Sequence, residues 1–119
     1  MATTQDTIAA IVSGIQDKKG RGISIVDLSH IITAPCEAFV ICTGGSPQQV
    51  DAIAGSINDT LRESLGEKAI AVAGLDNCQW VAIDYGTVMV HIFLAELRDY
   101  YDLEHLWQDA VIEAVPDLD

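Results

Sequence analysis

Residues 38–73 hold the arrangement that leaves this chain the fewest possible folds. Ala38-Phe39-Val40-Ile41-Cys42-Thr43 is an apolar run of strand length without polar alternation, which suits a strand buried on both faces. Gly44-Gly45 breaks the run, Ser46 is a good N-cap, Pro47 suits the first helical position, and Gln49 stands where a capping box needs it. Val50, Ile53, Ala54, Ile57, Leu61 and Leu65 then recur at helical spacing up to Gly66, a natural stop. Lys68–Ala73 reads as the next strand, with alanines small enough to let the helix lie close to a sheet. Strand, long helix and strand in succession imply a right-handed parallel crossover. The fold class is therefore α/β.

The flanking segments extend this unit. Thr3 caps a first helix whose stripe is Ile8, Ile11, Val12 and Ile15, and Asp17-Lys18-Lys19-Gly20-Arg21-Gly22 ends it. Ile23–Leu28 is a strand. After the turn-rich Gly74-Leu75-Asp76-Asn77-Cys78, two strands flank Tyr85-Gly86 as a hairpin, giving about five strands in a mixed sheet within one domain. The hairpin has two readings. A two-residue Tyr85-Gly86 turn makes Val81, Ile83, Val88 and Val90 one aliphatic face, with Trp80, Ala82, Asp84, Met89, His91 and Phe93 on the other. A bulged Asp84-Tyr85-Gly86 loop avoids positive φ at Tyr85 and has the better turn chemistry, so it is the expected register. In the last helix, Tyr100, Leu103, Leu106-Trp107 and Ala110-Val111 form a docking stripe, which leaves Tyr101, Asp102, Glu104, His105 and Gln108 free. Residues 108–119 form an acidic tail expected to fray at its end.

Composition narrows the functional classes. The chain has 119 residues, enough for one core, and half are hydrophobic, which argues against disorder. No run approaches a membrane span, and the opening residues lack the features of a signal peptide, so a cytoplasmic chain is expected. Cys36, Cys42 and Cys78 lack the paired spacing of a zinc site, and Cys42 reads as a small buried hydrophobe. The net charge is −12, with no Lys or Arg over residues 22–61 or 69–97. That disfavours a broad nucleic-acid surface and would steer the chain toward a basic partner such as a basic protein.

Three constellations could carry chemistry. Thr43-Gly44-Gly45-Ser46 opens a helix, where backbone N–H groups can hold an anion, but it lacks the lysine of a phosphate-binding P-loop. A nucleotidyltransferase needs paired carboxylates for two metal ions; Asp84 has no such neighbour, and Asp27 and Glu37 lie at unrelated spacing. His91 and His105 have neighbouring carboxylates but no nucleophile at identifiable spacing. A nucleotide-binding or nucleotidyltransferase-like enzyme is therefore the alternative reading, with no metal or cofactor expected. The remaining feature is the aromatic-rich stretch Trp80–Trp107, whose residue types suit both cores and binding hot spots.

That stretch carries a family resemblance. Trp80, Asp84-Tyr85-Gly86, His91, Phe93 and Arg98 stand in order. Tyr100-Tyr101-Asp102-Leu103-Glu104-His105-Leu106-Trp107 follows them. Together they resemble the pattern W-x-x-x-D-Y-G-D-x-x-x-H-x-F then R-x-Y-Y-D-L-E-x-L-W of the ribosomal silencing factor family RsfS, also called Iojap. Asp17-Lys18-Lys19 and Phe39–Ser46 agree as well, so the likeness runs from about Ile8 to Trp107. It implies a nucleotidyltransferase-like fold without the catalytic carboxylates and no enzymatic activity. It also implies binding to the large ribosomal subunit through ribosomal protein fourteen, which blocks joining of the small subunit and represses translation under nutrient limitation. A homodimer is implied too. The residues expected to meet the partner are Trp80, Asp84, Tyr85, Met89, His91 and Tyr101. Thr87 stands in place of the family's usual Asp, and Glu37-Ala38 in place of Asp-Tyr, removing one carboxylate and one ring from that surface.

Overall fold

The computed structural model describes residues 2–118. Helix α1 (Thr4–Asp17) is followed by strands β1 (Arg21–Asp27) and β2 (Ala38–Gly44), then helix α2 (Pro47–Leu65). Strands β3 (Ala71–Ala73), β4 (Trp80–Asp84) and β5 (Val88–Leu94) come next, then helix α3 (Ala95–Tyr101), one 3₁₀ turn (Leu103–His105) and strand β6 (Val111–Val115). The sheet order is β3-β4-β5-β2-β1-β6, with β2 and β5 parallel and every other neighbouring pair antiparallel.

Local sequence accounts for both long helices. The Thr3 hydroxyl accepts from Asp6 N and the Asp6 carboxylate accepts from Thr3 N, closing a capping box on α1. Ser46 accepts from Gln49 N at 3.1 Å, and Gly66 ends α2 at φ 66°. The expected second half of the Ser46 box is rearranged. The Gln49 amide oxygen takes Gly45 N–H at 2.6 Å, and its nitrogen donates to the Lys18 and Lys19 carbonyls, tying α2 to the turn after α1. The helices touch where Gly14 meets Ile57. A Cβ on Gly14 would lie 2.9 Å from Ile57 Cα, and buried Ser56 donates to the Gly14 carbonyl at 2.8 Å.

Both helices cover one face of the sheet. Their stripes meet Ile23, Val40, Cys42, Val81, Ile83, Val88, Val90 and Ile92 in the main core. The β2 run is buried throughout Ala38–Cys42, on both faces as its composition requires. Strands β2 and β3 run parallel, as the crossover predicts, but β4 and β5 lie between them. β3 is shorter than expected, three exposed residues on the sheet edge.

Two expectations are corrected. The hairpin takes neither predicted register: Asp84 pairs with Met89 and Ile83 with Val90, and Tyr85 N donates to the Val88 carbonyl at 3.0 Å. The two loop residues are Gly86 and Thr87, with Gly86 at φ 90°, a left-handed value that glycine takes readily at the first position of a hairpin loop. This moves the turn one residue along and removes the bulge. The last helix is also shorter than its stripe implied. It stops at Tyr101 because Asp102 is left-handed at φ 47°, and the tail residues Val111–Val115 form a sixth strand on β1. Asp117 is held by Gly22 N at 2.9 Å and Arg21 Nη1 at 3.3 Å; the expected fraying of Asp119 lies outside the described residues.

Candidate docking surface

The second face of the sheet is covered by the C-terminal segment and by the β1–β2 connection, which packs Ile31, Ala34 and Cys36 against it. Period-two alternation points Trp80, Ala82 and Asp84 of β4 and Met89, His91 and Phe93 of β5 to this side. Phe39, Ile41, Val26, Leu28 and Phe93 form a small buried cluster there, with Trp80, Met89, Leu97, Leu103, Trp107 and Ala110 packed around it. Over it lies a stack of rings: Trp80 sits 5.0 Å from Phe93 and 4.6 Å from Tyr101, between centroids. Phe39 meets Trp107 edge-on at 5.5 Å. Such pairs hold rings in place beyond simple area burial. The outer surface of the stack faces solvent, since Trp80 and Met89 are half-buried and Tyr101 is 45 % exposed, with Tyr100 and Leu106 more open still.

Five of the six expected partner residues therefore lie on one side of the molecule. Tyr85 does not join them. It points to the opposite face, is 8 % exposed, and its hydroxyl donates to Asn58 Oδ1 on α2. Asp84 serves the turn, its carboxylate accepting from Gly86 N at 2.8 Å. The stripe expected for the last helix is also redistributed. Leu103 and Trp107 pack inward, but Tyr100, within α3, and Leu106, beyond its end, are exposed.

His91 lies beneath the stack and is 5 % exposed. Trp80 Nε1 donates to its Nδ1 at 3.1 Å. An indole nitrogen only donates, so Nδ1 must be unprotonated and the neutral ring carries its proton on Nε2. That Nε2 is buried and has no hydrogen-bond partner among the described residues. Burial pushes the imidazole pKa down to about 4, so the ring is uncharged at neutral pH.

Arg98 anchors the covering segment, a role not legible from its position alone. Its Nε and Nη2 pair with the Glu104 carboxylate at 3.0 Å each. Nη2 also donates to Ser24 Oγ at 3.1 Å, and Nη1 to Thr43 Oγ1 at 2.9 Å and to the Gly22 carbonyl. Ser24 in turn donates to Glu104 at 2.7 Å. Glu104, expected to be free, is thus part of a closed polar knot. Burial pushes its pKa up, but the Arg98 and Ser24 hydrogen bonds outweigh that and hold it below the ordinary value. The available signal was the lone Arg98 among eight acids between Leu94 and Asp119.

The other sequence candidates serve the fold. The Gly45 N–H is already given to Gln49, and a Cβ on Gly44 would lie 2.8 Å from Val50 Cγ2, so this turn is shaped by packing. Asp27 accepts from Ser29, and Glu37 from Thr4. Burial pushes the Cys42 thiol up to about 12. His105 sits exposed beside Asp102. Among the described residues no group of three or more His, Cys, Asp or Glu side chains is placed to hold a metal ion, and no helix is long and apolar enough to cross a membrane.

Chemically, the second face offers stacked aromatic area with tyrosine hydroxyls and a negative surround, the means by which proteins recognise one another. Comparison with known proteins agrees with the sequence pattern. The family model described as ribosomal silencing factor during starvation matches residues 1–119. The ribosomal silencing factor RsfS of Bacillus subtilis is 40 % identical over 94 residues, covering 79 % of this chain and 78 % of that protein. RsfS of Chromobacterium violaceum is 35 % identical over 103 residues, covering 87 % and 83 %. A crystal structure of a Chromobacterium violaceum protein superimposes with a TM-score of 0.84 at 33 % identity, over 90 % of this chain and 88 % of that one. The chain belongs to the ribosomal silencing factor family.

Proposed function

We propose that this chain is a non-enzymatic translation regulator of the cytoplasm that binds the large ribosomal subunit through ribosomal protein fourteen. Its folded body then occupies the intersubunit surface and keeps the small subunit from joining, lowering translation when nutrients are scarce. The observation that carries this reading is the half-exposed stack of Trp80 and Tyr101 on a chain of net charge −12. Aromatic anchors of this type supply binding energy once desolvated, and negative charge speeds encounter with a basic ribosomal protein. The nucleotide-enzyme alternative draws no support from Gly44-Gly45-Ser46, where Gln49 fills the place an anion would take.

The test is co-sedimentation with isolated large subunits. The wild-type chain is expected to pellet with them, less so as salt is raised. Trp80→Ala is expected to weaken binding about 30-fold, the size of a hot-spot truncation of about 2 kcal/mol. Unchanged affinity in a folded Trp80→Ala variant would remove the stack from the interface.

A further inference from the structure

Buried N–H groups without acceptors are rare in native proteins, and each costs about 1–3 kcal/mol. His91 Nε2 is such a group, and its proton is fixed there by the Trp80 indole on the other ring nitrogen. Phe39 meets the imidazole edge-on at 4.8 Å, and a ring face is at best a weak acceptor. Ala82 is the cross-strand neighbour of His91, with Met89 and Trp80 half-buried alongside. Met89, two residues along on the same face of β5, is the flexible side chain that a docking partner would have to displace.

We infer that His91 is a recognition donor: its Nε2–H, left unsatisfied in the free chain, hydrogen-bonds a carbonyl oxygen of the protein that docks on the Trp80–Tyr101 stack. The inference rests on the docking role proposed above and adds the partner's chemistry at its centre. A neutral acceptor fits better than a carboxylate for two reasons. The donor is itself uncharged, so pairing it with a carbonyl buries no net charge. The surround, with exposed Glu96, Asp99 and Asp102 on the covering segment, repels an approaching anion. Trp80 offers its ring to the partner. Its indole fixes the tautomer in the free chain, and in the complex the partner's carbonyl itself holds the proton on Nε2, so the donor does not depend on the indole.

His91 could instead serve only to hold Trp80, and a double-mutant cycle separates the two roles. Co-sedimentation with large subunits is measured for wild type, His91→Phe, Trp80→Phe and the double variant. Trp80→Phe keeps a stacking ring but removes the indole N–H, so any role of His91 in holding Trp80 is already lost in that background. The expected result is that His91→Phe weakens binding about tenfold in both backgrounds, as loss of a buried hydrogen bond implies. His91→Phe is also expected to unfold at no lower urea concentration than wild type, because the orphaned donor is gone. No further loss in the Trp80→Phe background, with the fold intact, would overturn the donor role and leave the docking role standing. A wild-type chain that does not pellet with the subunit overturns the docking role and this inference together. His91→Leu runs the same cycle if phenylalanine overfills the site. Imidazole ¹⁵N spectra of the free wild-type chain provide a check independent of any variant: the Nε2–H tautomer is expected at neutral pH, and the Nδ1–H tautomer would overturn the inference.

Discussion

Arg98→Ala is expected to lower the unfolding free energy by about 3 kcal/mol, the scale for removing one partner of a largely buried ion pair. The Arg98 and Glu104 side chains are only 14 % and 19 % exposed, so the remaining carboxylate would stay partly desolvated with Ser24 as its one remaining neighbour in the knot. Loss of Arg98 also strips donors from Thr43 and the Gly22 carbonyl, releasing β1 and β2 from α3 together. Arg98→Lys should not restore the stability, since a point charge cannot span Glu104, Ser24, Thr43 and Gly22 at once. Urea unfolding checks the magnitude. Hydrogen exchange checks the place: residues 95–115 should lose protection first, while α1 and α2 keep theirs. A change below about 0.5 kcal/mol, the range of ordinary surface substitutions, would show that the knot does not hold the segment.

The second large effect is on acid stability, through His91. Its pKa is about 4 in the folded chain against an ordinary value of 6.5, because burial disfavours the charged ring. The unfolded chain therefore binds this proton first as the pH falls. The stability associated with the neutral buried ring is complete above pH 6.5 and declines progressively down to about pH 4. Over that window the loss amounts to about 3 kcal/mol. Below it, a protonated Nδ1 can no longer accept from Trp80. Glu104 acts in the same direction but lower, its contribution being lost as the pH drops through its depressed pKa, below the ordinary 4.5. Urea midpoints of wild type and His91→Phe at pH 7 and pH 4.5 separate the two groups. The variant should lose much less stability over this interval; equal losses would assign the acid sensitivity elsewhere.

What could be read in advance followed the range of the interactions concerned. Ser46, Pro47 and Gly66 mark α2 through contacts within a turn of their own positions, and they place it correctly. Period-two alternation gives the hairpin faces only once the register is set, and the expected bulged loop would have put Trp80 and Val90 on one side, whereas they lie on opposite faces. The observed loop has the faces of the less favoured two-residue reading, moved one residue along the chain. Gly86-Thr87 forms the loop because glycine supplies the positive φ at its first position and the Asp84 carboxylate accepts from Gly86 N. Strand β6 was missed for a different reason. Val111–Val115 continues an acceptable helical stripe, and only pairing with β1, far back in the chain, makes it a strand. The polar knot is equally non-local: Arg98 reaches Gly22, Ser24 and Thr43. Within the surface, Trp80, Met89 and His91 come together by alternation, whereas Tyr101 faces the stack and Tyr100 does not. Neighbouring helical residues point about 100° apart, and the docking of α3 on the sheet decides which turns inward.

The central claim concerns subunit joining, and sucrose-gradient sedimentation of purified ribosomal subunits addresses it directly. Small and large subunits are combined under conditions that favour joined ribosomes, with the chain added first to the large subunit. The account predicts fewer joined ribosomes, a larger free large-subunit peak and the chain travelling in that peak. An unchanged proportion of joined ribosomes, with the chain left at the top of the gradient, would contradict it.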